Sequence, residues 1–508
     1  MNQEDASLSG CVGLNEDFVQ WIWREQFLDT DCLRCMDGRP VKVLKAGDYV
    51  GGAGPDFRDA VLEIGGFRLQ GDVEIHVESR DWRGHHHSGD HAYNRVVLHV
   101  FLWSSGDEAL TDELHNGIRV PRLELSSFLE PDLDTLWRCF EDDYLDFPAS
   151  PKDAMAATAG GATLGNSDGV TSYVCHELIR DWDPARREGV LRRAGRRRVE
   201  ERISRFMSSA GDMGLPECFW SSFLSGLTPG RSRPLMFILG SHVAIGELWS
   251  YVCGIENNEE LTLAVESILL HVSNLLPSEA DSFDGESLAY LDALRERWRD
   301  FSGWYGDRVM KPSKSWHGGM RPATFPERRL AGVARLLTRR RRYNGLLAGF
   351  VSEVHAFRQA QPTTASDFRK TCKGLIQALT VEGEGSFWGD HFSFGGKKLP
   401  TPQQLIGSSV ASSLLFNVVL PYVIIHARAK GDSVLEDFVF RLLSHWPPLS
   451  DSSQMRRMRE RLFGASAPTK VRLELHQQGL YWLDQTYCAN HPCAECPCVQ
   501  GTSVFNES

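Results

Sequence analysis

Apolar residues at Phe18, Trp21, Ile22 and Phe27 recur at helical spacing, so LNEDFVQWIWREQFL (14–28) predicts an amphipathic helix. Farther along, the period changes to that of strands. Ala60 to Ile64 reads as a short strand and Gly65-Gly66 as a turn. Phe67 to Ser79 then alternates almost without a lapse. That alternation predicts Phe67, Leu69, Val73, Ile75 and Val77 facing a core, and Arg68, Gln70, Asp72, Glu74, His76 and Glu78 on the opposite face. The small residues of SPKDAMAATAGGATLGNSDG bury little surface and read as a linker. Beyond it the pattern is that of long amphipathic helices: NEELTLAVESILLHVSNLL, GESLAYLDALRERWRDF and SVLEDFVFRLLSHW. The predicted organisation is an α/β amino-terminal domain over 1–149, a flexible linker over 150–170, and a mainly α-helical region over 171–508. No internal repeat interrupts it.

Composition narrows the class. A chain of 508 residues, 42% hydrophobic, can bury two or three cores and is expected to be soluble and globular. The start MNQEDASLSG lacks the basic and apolar signature of a secretory signal, and Asn417, Pro421 and His426 interrupt the most apolar stretch, Ser412 to Lys430. A cytoplasmic protein without a membrane span is therefore expected, and its twelve cysteines read as free thiols or metal ligands rather than disulfides. A formal charge of −12 argues against a generic polyanion binder. Two local arginine runs, Arg186 to Arg205 and Arg328 to Tyr343, read equally as phosphate-contacting surfaces or as solvated helix faces paired with carboxylates.

The candidate chemistry sits on the alternating strand. Glu74 and His76 share one face, their α-carbons roughly 7 Å apart at a rise of ~3.3 Å per residue, so both side chains can converge on one ion. Asp56, in a Pro-Asp turn ahead of the partner strand, can bring its carboxylate beside Glu74, making an oxygen-rich site suited to magnesium or manganese. A solvent-facing polar strand face is the bland alternative. The sequel, DWRGHHHSGDHAYNRVVLHVF, adds His85 and His87, then Asp90, His91, Tyr93 and His99. Imidazoles next to carboxylates suit a metal shell, with Asp90 as a partner behind a ligand and Glu16 or Asp17 completing the site. His99, on a Val-Leu-His-Val strand, reads better as a satisfied core residue. RPATFP reads as an approach to the helix RRLAGVARLL, with Arg321 in an internal ion pair. Near the end, Cys488, His491, Cys493, Cys496 and Cys498 fall in one short stretch, whose thiolates suit a structural zinc or an iron-sulfur cluster, against the alternative of free cysteines in a packed tail.

The Pro55-Asp56 turn and Glu74-Ile75-His76 strand resemble the PD-(D/E)XK nuclease superfamily, in which Pro-Asp precedes one hairpin strand and Glu-x-Lys lies on the next. The resemblance implies a restriction-endonuclease-like mixed sheet, with His76 standing where that superfamily has lysine. Histidine-rich loops replace the lysine in some of its members. Late cysteines in related helicase-nucleases imply an iron-sulfur cluster whose distant ligand here would be Cys32 or Cys35. The whole chain also resembles a bacterial family called domain of unknown function 2851, on AGPDF, GDVEIHVESRDW, His85-x-His87, VVLHVF, RPATFPERRLA, FWGDHFSFGG, LLFNVVLP and QGLYWLDQTYCANHPCAEC. That resemblance supplies no activity. Two functions follow. One is a metal-dependent nuclease acting on DNA or RNA, with Asp56 and Glu74 as metal ligands and His76, His85 or His87 positioning water. The other is an inactive nuclease-like scaffold that binds nucleic acid or protein.

Overall fold

Gly65 and Gly66, at φ of 60° and 85°, close a two-residue hairpin at the predicted turn, because glycine alone enters that region without a Cβ clash. The structure is a computed structural model that describes residues 14–50, 54–106, 111–144, 175, 179, 182–278, 283–318, 320–341, 345–449, 453–464, 471–488 and 495–500. The expected linker over 150–170 lies outside them. The chain divides into two units, 1–177 with 484–496, and 178–483 with 497–508.

In the first unit, the strands in chain order are β1 (Val41–Lys45), β2 (Asp48–Tyr49), β3 (Phe57–Ile64), β4 (Phe67–Glu78), β5 (Val96–Trp103), β6 (Asp112–Glu113), β7 (Arg119–Val120) and β8 (Arg122–Glu124). The main sheet runs β1-β3-β4-β5-β8, with β2 also on β3, while β6 and β7 form a separate pair. Pairing is antiparallel from β1 to β4 and parallel from β4 through β5 to β8, a mixed sheet. Gly71 lets the chain entering β5 lie close against β4, since a Cβ there would meet the Arg95 carbonyl oxygen at 2.4 Å. The strand before β4 is longer than expected, beginning at Phe57, and Asp59 takes φ 54° where the register shifts.

The first helix, α1 (Glu16–Glu25), is capped by Asn15, whose side chain accepts from the Phe18 amide at 3.1 Å, and ends where Gln26 turns left-handed. Its expected stripe of Phe18, Trp21, Ile22 and Phe27 is buried. Both α1 and the short helix α2 (Asp81–Gly84) pack against β4. This overturns two parity expectations. The face assigned to polar residues is covered, so Asp72, Glu74 and His76 are buried, as central strands with two covered faces require. Phe67, placed in the core by alternation, lies at the hairpin tip and is 75% exposed.

The second unit is helical. Helices form at Asn258–Val272, Gly285–Trp298 and Ser433–Leu443, each where the periodicity places one. Ser408–Lys430 is long and apolar enough to cross a membrane, and 78% of its apolar window is buried in the unit. Its ladder widens to a π-turn at Leu415–Val419, just ahead of Pro421, which has no N–H to give. Both arginine runs are largely engaged within the unit. On Pro184–Met213, Arg198 and Arg202 are buried, and Arg196 and Arg197 face Glu200 and Glu201. On Pro326–Arg339, Arg328, Arg329, Arg335 and Arg339 all donate to backbone carbonyls of the 378–405 segment, so this run ties loops down. Arg321 is exposed, and among the described residues the expected ion pair does not form.

Glu266, inside this unit, is pushed up to about 7 by burial, which outweighs the Tyr290 hydroxyl donating to it at 2.6 Å. A folded-state pKa above the unfolded value means that the unfolded chain ionises first. The contribution is full below the unfolded value of 4.5 and is lost as pH rises to about 7. Urea unfolding is expected to weaken by about 3 kcal/mol over that window from this group, and Glu266→Gln, which keeps an acceptor for Tyr290, is expected to flatten the profile. An unchanged profile in the variant contradicts the assignment.

Candidate metal centre

Four elements carry the site. β4 supplies Glu74 and His76, the turn before β3 supplies Asp56, the loop after α2 supplies His85 and His87, and β5 supplies His99 beside Glu74 in parallel register. The loop is shaped by His86 at φ 59° and by the Trp82 indole N–H, which donates to Ser88 Oγ at 3.1 Å. His87 is further held by Tyr93, whose ring centroid lies 4.0 Å away. Burial and the neighbouring carboxylates Glu74 and Asp56 push the Tyr93 phenol well above its ordinary range, so it stays neutral.

The compact donor group is His76, His85 and His87. His76 Nε2 lies 3.2 Å from His85 Nδ1 and 3.1 Å from His87 Nε2. One ring nitrogen offers a single in-plane lone pair or N–H, so ordinary hydrogen bonding serves one of these neighbours and not both. A cation between them would satisfy all of them. Glu74 adds an oxygen: Oε1 is 3.2 Å from His87 Nε2 and 3.8 Å from His76 Nε2, while Oε2 accepts from the Asp56 amide at 3.1 Å. The donor set therefore fits a divalent ion, and three imidazoles with one carboxylate suit zinc and its neighbours better than magnesium.

Behind the group runs a polarised chain. Asp112 Oδ2 lies 2.6 Å from His99 Nδ1 and 3.2 Å from Arg122 Nε, and His99 Nε2 lies 2.9 Å from His76 Nδ1. The carboxylate holds the His99 proton on Nδ1, which leaves Nε2 to accept from His76 Nδ1–H. His76 Nε2 is thereby left bare, which is the form a metal ligand needs. His76, His99, Asp112 and Arg122 are all buried, so no water competes for these bonds.

Of the expected site residues, His76, His85 and His87 converge, with Glu74 against them. Asp56 is buried beside Glu74, but its carboxylate is used inside the fold: Oδ2 accepts from the Ile75 amide at 2.9 Å and Oδ1 from Gln20 at 3.0 Å. Glu16 Oε1 stands 4.0 Å from His85 Nδ1 at the half-exposed side of the group. His99 is the satisfied core residue that its strand suggests. The role expected of Asp90 falls instead to Asp112, since Asp90 is exposed and caps the Ala92 amide at 2.8 Å. Asp112 and Arg122 are the residues that the sequence reading missed. Both lie on very short strands whose pairing no local pattern announces, although the buried histidine at 99 called for a partner.

Among the carboxyl-terminal cysteines, Cys488, Cys496 and Cys498 are buried, and His491 and Cys493 lie outside the described residues. Cys488 and Cys496 belong to the amino-terminal unit and Cys498 to the helical one. Of the expected distant ligands, Cys32 is exposed and Cys35 buried, and burial pushes the Cys35 thiol up to about 12.

A family model described as "Protein of unknown function (DUF2851)" matches residues 16–452. No curated protein matches, and no solved structure matches.

Proposed function

The chain belongs to the DUF2851 family, and since that description carries no activity, we propose from the site itself that the protein is a metal-dependent hydrolase of nucleic-acid phosphodiesters. The observation that carries the reading is the meeting of His85 Nδ1 and His87 Nε2 on the one nitrogen His76 Nε2, at 3.2 and 3.1 Å, with Glu74 beside them. The phosphodiester assignment rests on the likeness of the Pro55-Asp56 turn and the Glu74-x-His76 strand to PD-(D/E)XK nucleases, with the mixed sheet as compatible background. His76, His85, His87 and Glu74 would hold the ion, which when bound supplies Lewis acidity and a lowered pKa for its water. Asp56 fixes Glu74 through its amide and the strand through Ile75 N–H, so it acts as a positioning residue. In the reaction the water oxygen would bond to phosphorus and the P–O bond to one nucleoside would break, the water proton passing to solvent by the half-exposed side at His85 and Glu16 and the departing nucleoside oxygen taking a proton from solvent.

Cleavage of single- and double-stranded DNA and RNA with added zinc or manganese tests this. Glu74→Gln is expected to reduce cleavage by at least about 100-fold, and Asp56→Asn by less, because the first takes a charge from the ion and the second only loosens its support. The use of Asp56 inside the fold favours a second reading, a scaffold whose hairpin cluster stiffens a nucleic-acid- or protein-binding domain. Nucleic-acid binding without cleavage in the wild type, surviving both substitutions, selects it. A zinc or iron-sulfur group at the carboxyl-terminal cysteines remains a separate proposal, tested by whether metal stays bound when the histidine centre is removed.

A further inference from the structure

Tyr93 is 8% exposed, and its ring lies in the apolar cluster of Trp82, Val96, Leu114 and Val120 and over His87, the two ring centroids 4.0 Å apart. A phenylalanine would fill that place as well. The hydroxyl is what packing leaves unexplained. It has no hydrogen-bond partner among the described residues, although a phenol this far buried ordinarily finds one. Nor is it sealed in: the Tyr305 hydroxyl is buried without a partner, whereas that of Tyr93 keeps accessible surface. The charges acting on it tell which way it faces. Glu74 and Asp56 act more strongly than Asp90, although Asp90 is only three residues away, and Glu16 follows. The Tyr93 hydroxyl therefore opens toward the carboxylate that stands 3.2 Å from His87 Nε2, with Glu16 and the half-exposed His85 on the same side.

We propose that Tyr93 is a catalytic residue, its hydroxyl donating a hydrogen bond to a phosphoryl oxygen of the substrate at the histidine centre, an assignment that rests on the hydrolase reading above. The phenol keeps its proton throughout, so no bond to hydrogen breaks at this residue. A neutral donor suits the place. It adds no charge beside the imidazoles that would hold the ion, and it meets negative charge as that charge grows on the phosphoryl oxygens. Glu74, Asp56, Asp90 and Glu16 disfavour an anion by themselves, so a phosphate is expected there only with the ion in place.

The test uses the full chain loaded with cobalt(II) and inorganic phosphate as probe, with dissociation constants from the change in the visible cobalt spectrum. Tyr93→Phe is expected to keep a full equivalent of cobalt and the phosphate-free spectrum, and to bind phosphate about tenfold more weakly, the scale of one hydrogen bond to a charged acceptor. Because the change leaves no protein group unpaired, the variant is expected to melt as the wild type does. His87→Ala, which loses the ion, is expected to bind no phosphate, and this places the probe at the centre. On diester substrates Tyr93→Phe is expected to lower kcat about 100-fold and to move KM less. Unchanged phosphate affinity in Tyr93→Phe overturns the proposal, and if that variant also cleaves as the wild type does, the hydrolase reading stands without it. Loss of cobalt from Tyr93→Phe overturns it too, because the hydroxyl then serves the ion and not the phosphate. A wild type that binds phosphate through Tyr93 but cuts no diester keeps the hydroxyl as an oxyanion donor and removes the hydrolase reading. Wild-type protein that takes up no cobalt at the histidines overturns both.

Discussion

His87→Ala is expected to abolish binding of a divalent ion and, with it, any hydrolysis. Losing even a partner behind a ligand costs about 10–100-fold in affinity, so removing one of three imidazoles is expected to cost more than about 100-fold. His87 is the informative choice. It is buried, it contacts both His76 and Glu74, and it comes from a loop rather than from the sheet, so its loss spares the strand pairing. His85→Ala is expected to weaken binding less, since that side chain is half exposed. Metal content after dialysis against zinc, measured beside thermal unfolding, separates ligand loss from misfolding. Retention of a full equivalent of metal by His87→Ala would sink the centre. Ligand binding to the native state should also raise the melting temperature of the wild type with added zinc, and that rise should vanish in the variant.

The parts of this architecture that sequence made legible are those governed by local periodicity. The α1 stripe, the glycine turn and the long helices each follow from spacing within one segment, and each forms where the spacing puts it. The polar face of β4 was misleading because alternation specifies two faces without saying what covers them. α1 comes from 50 or so residues upstream and turns a surface pattern into a buried site. Histidines at 85 and 87 could be grouped with Glu74 and His76 because the loop follows the strand at once. The chain from His76 to Arg122 could not, since it depends on the parallel register that sets His99 beside Glu74 and Arg122 beside His99. Likewise the arginine run at 328–343 read equally as a phosphate-contacting surface or a solvated helix face, and only the tertiary fold shows carbonyls from a segment some 50 residues downstream meeting it.

Asp112→Asn is expected to act at a distance on the same ion. The carboxylate accepts from His99 Nδ1 and faces Arg122, and it reaches the donor cluster through His99, whose Nε2 lies 2.9 Å from His76 Nδ1. An amide can present either an acceptor or a donor to Nδ1. When it donates, the His99 proton moves to Nε2, His76 Nδ1 must accept, and the proton on His76 moves to Nε2, where it blocks the ligand lone pair. Metal affinity is expected to fall about 10–100-fold, with the three ligands still in place. The same change takes the Asp112 carboxylate from beside buried Arg122, which is expected to cost up to about 3–5 kcal/mol of stability. The double variant Asp112→Asn with Arg122→Met separates the two effects: stability should return in part while metal affinity stays low. If affinity recovers together with stability, the pair holds the fold and not the tautomer of His76. If Asp112→Asn binds zinc as the wild type does, the polarised chain plays no part in the centre.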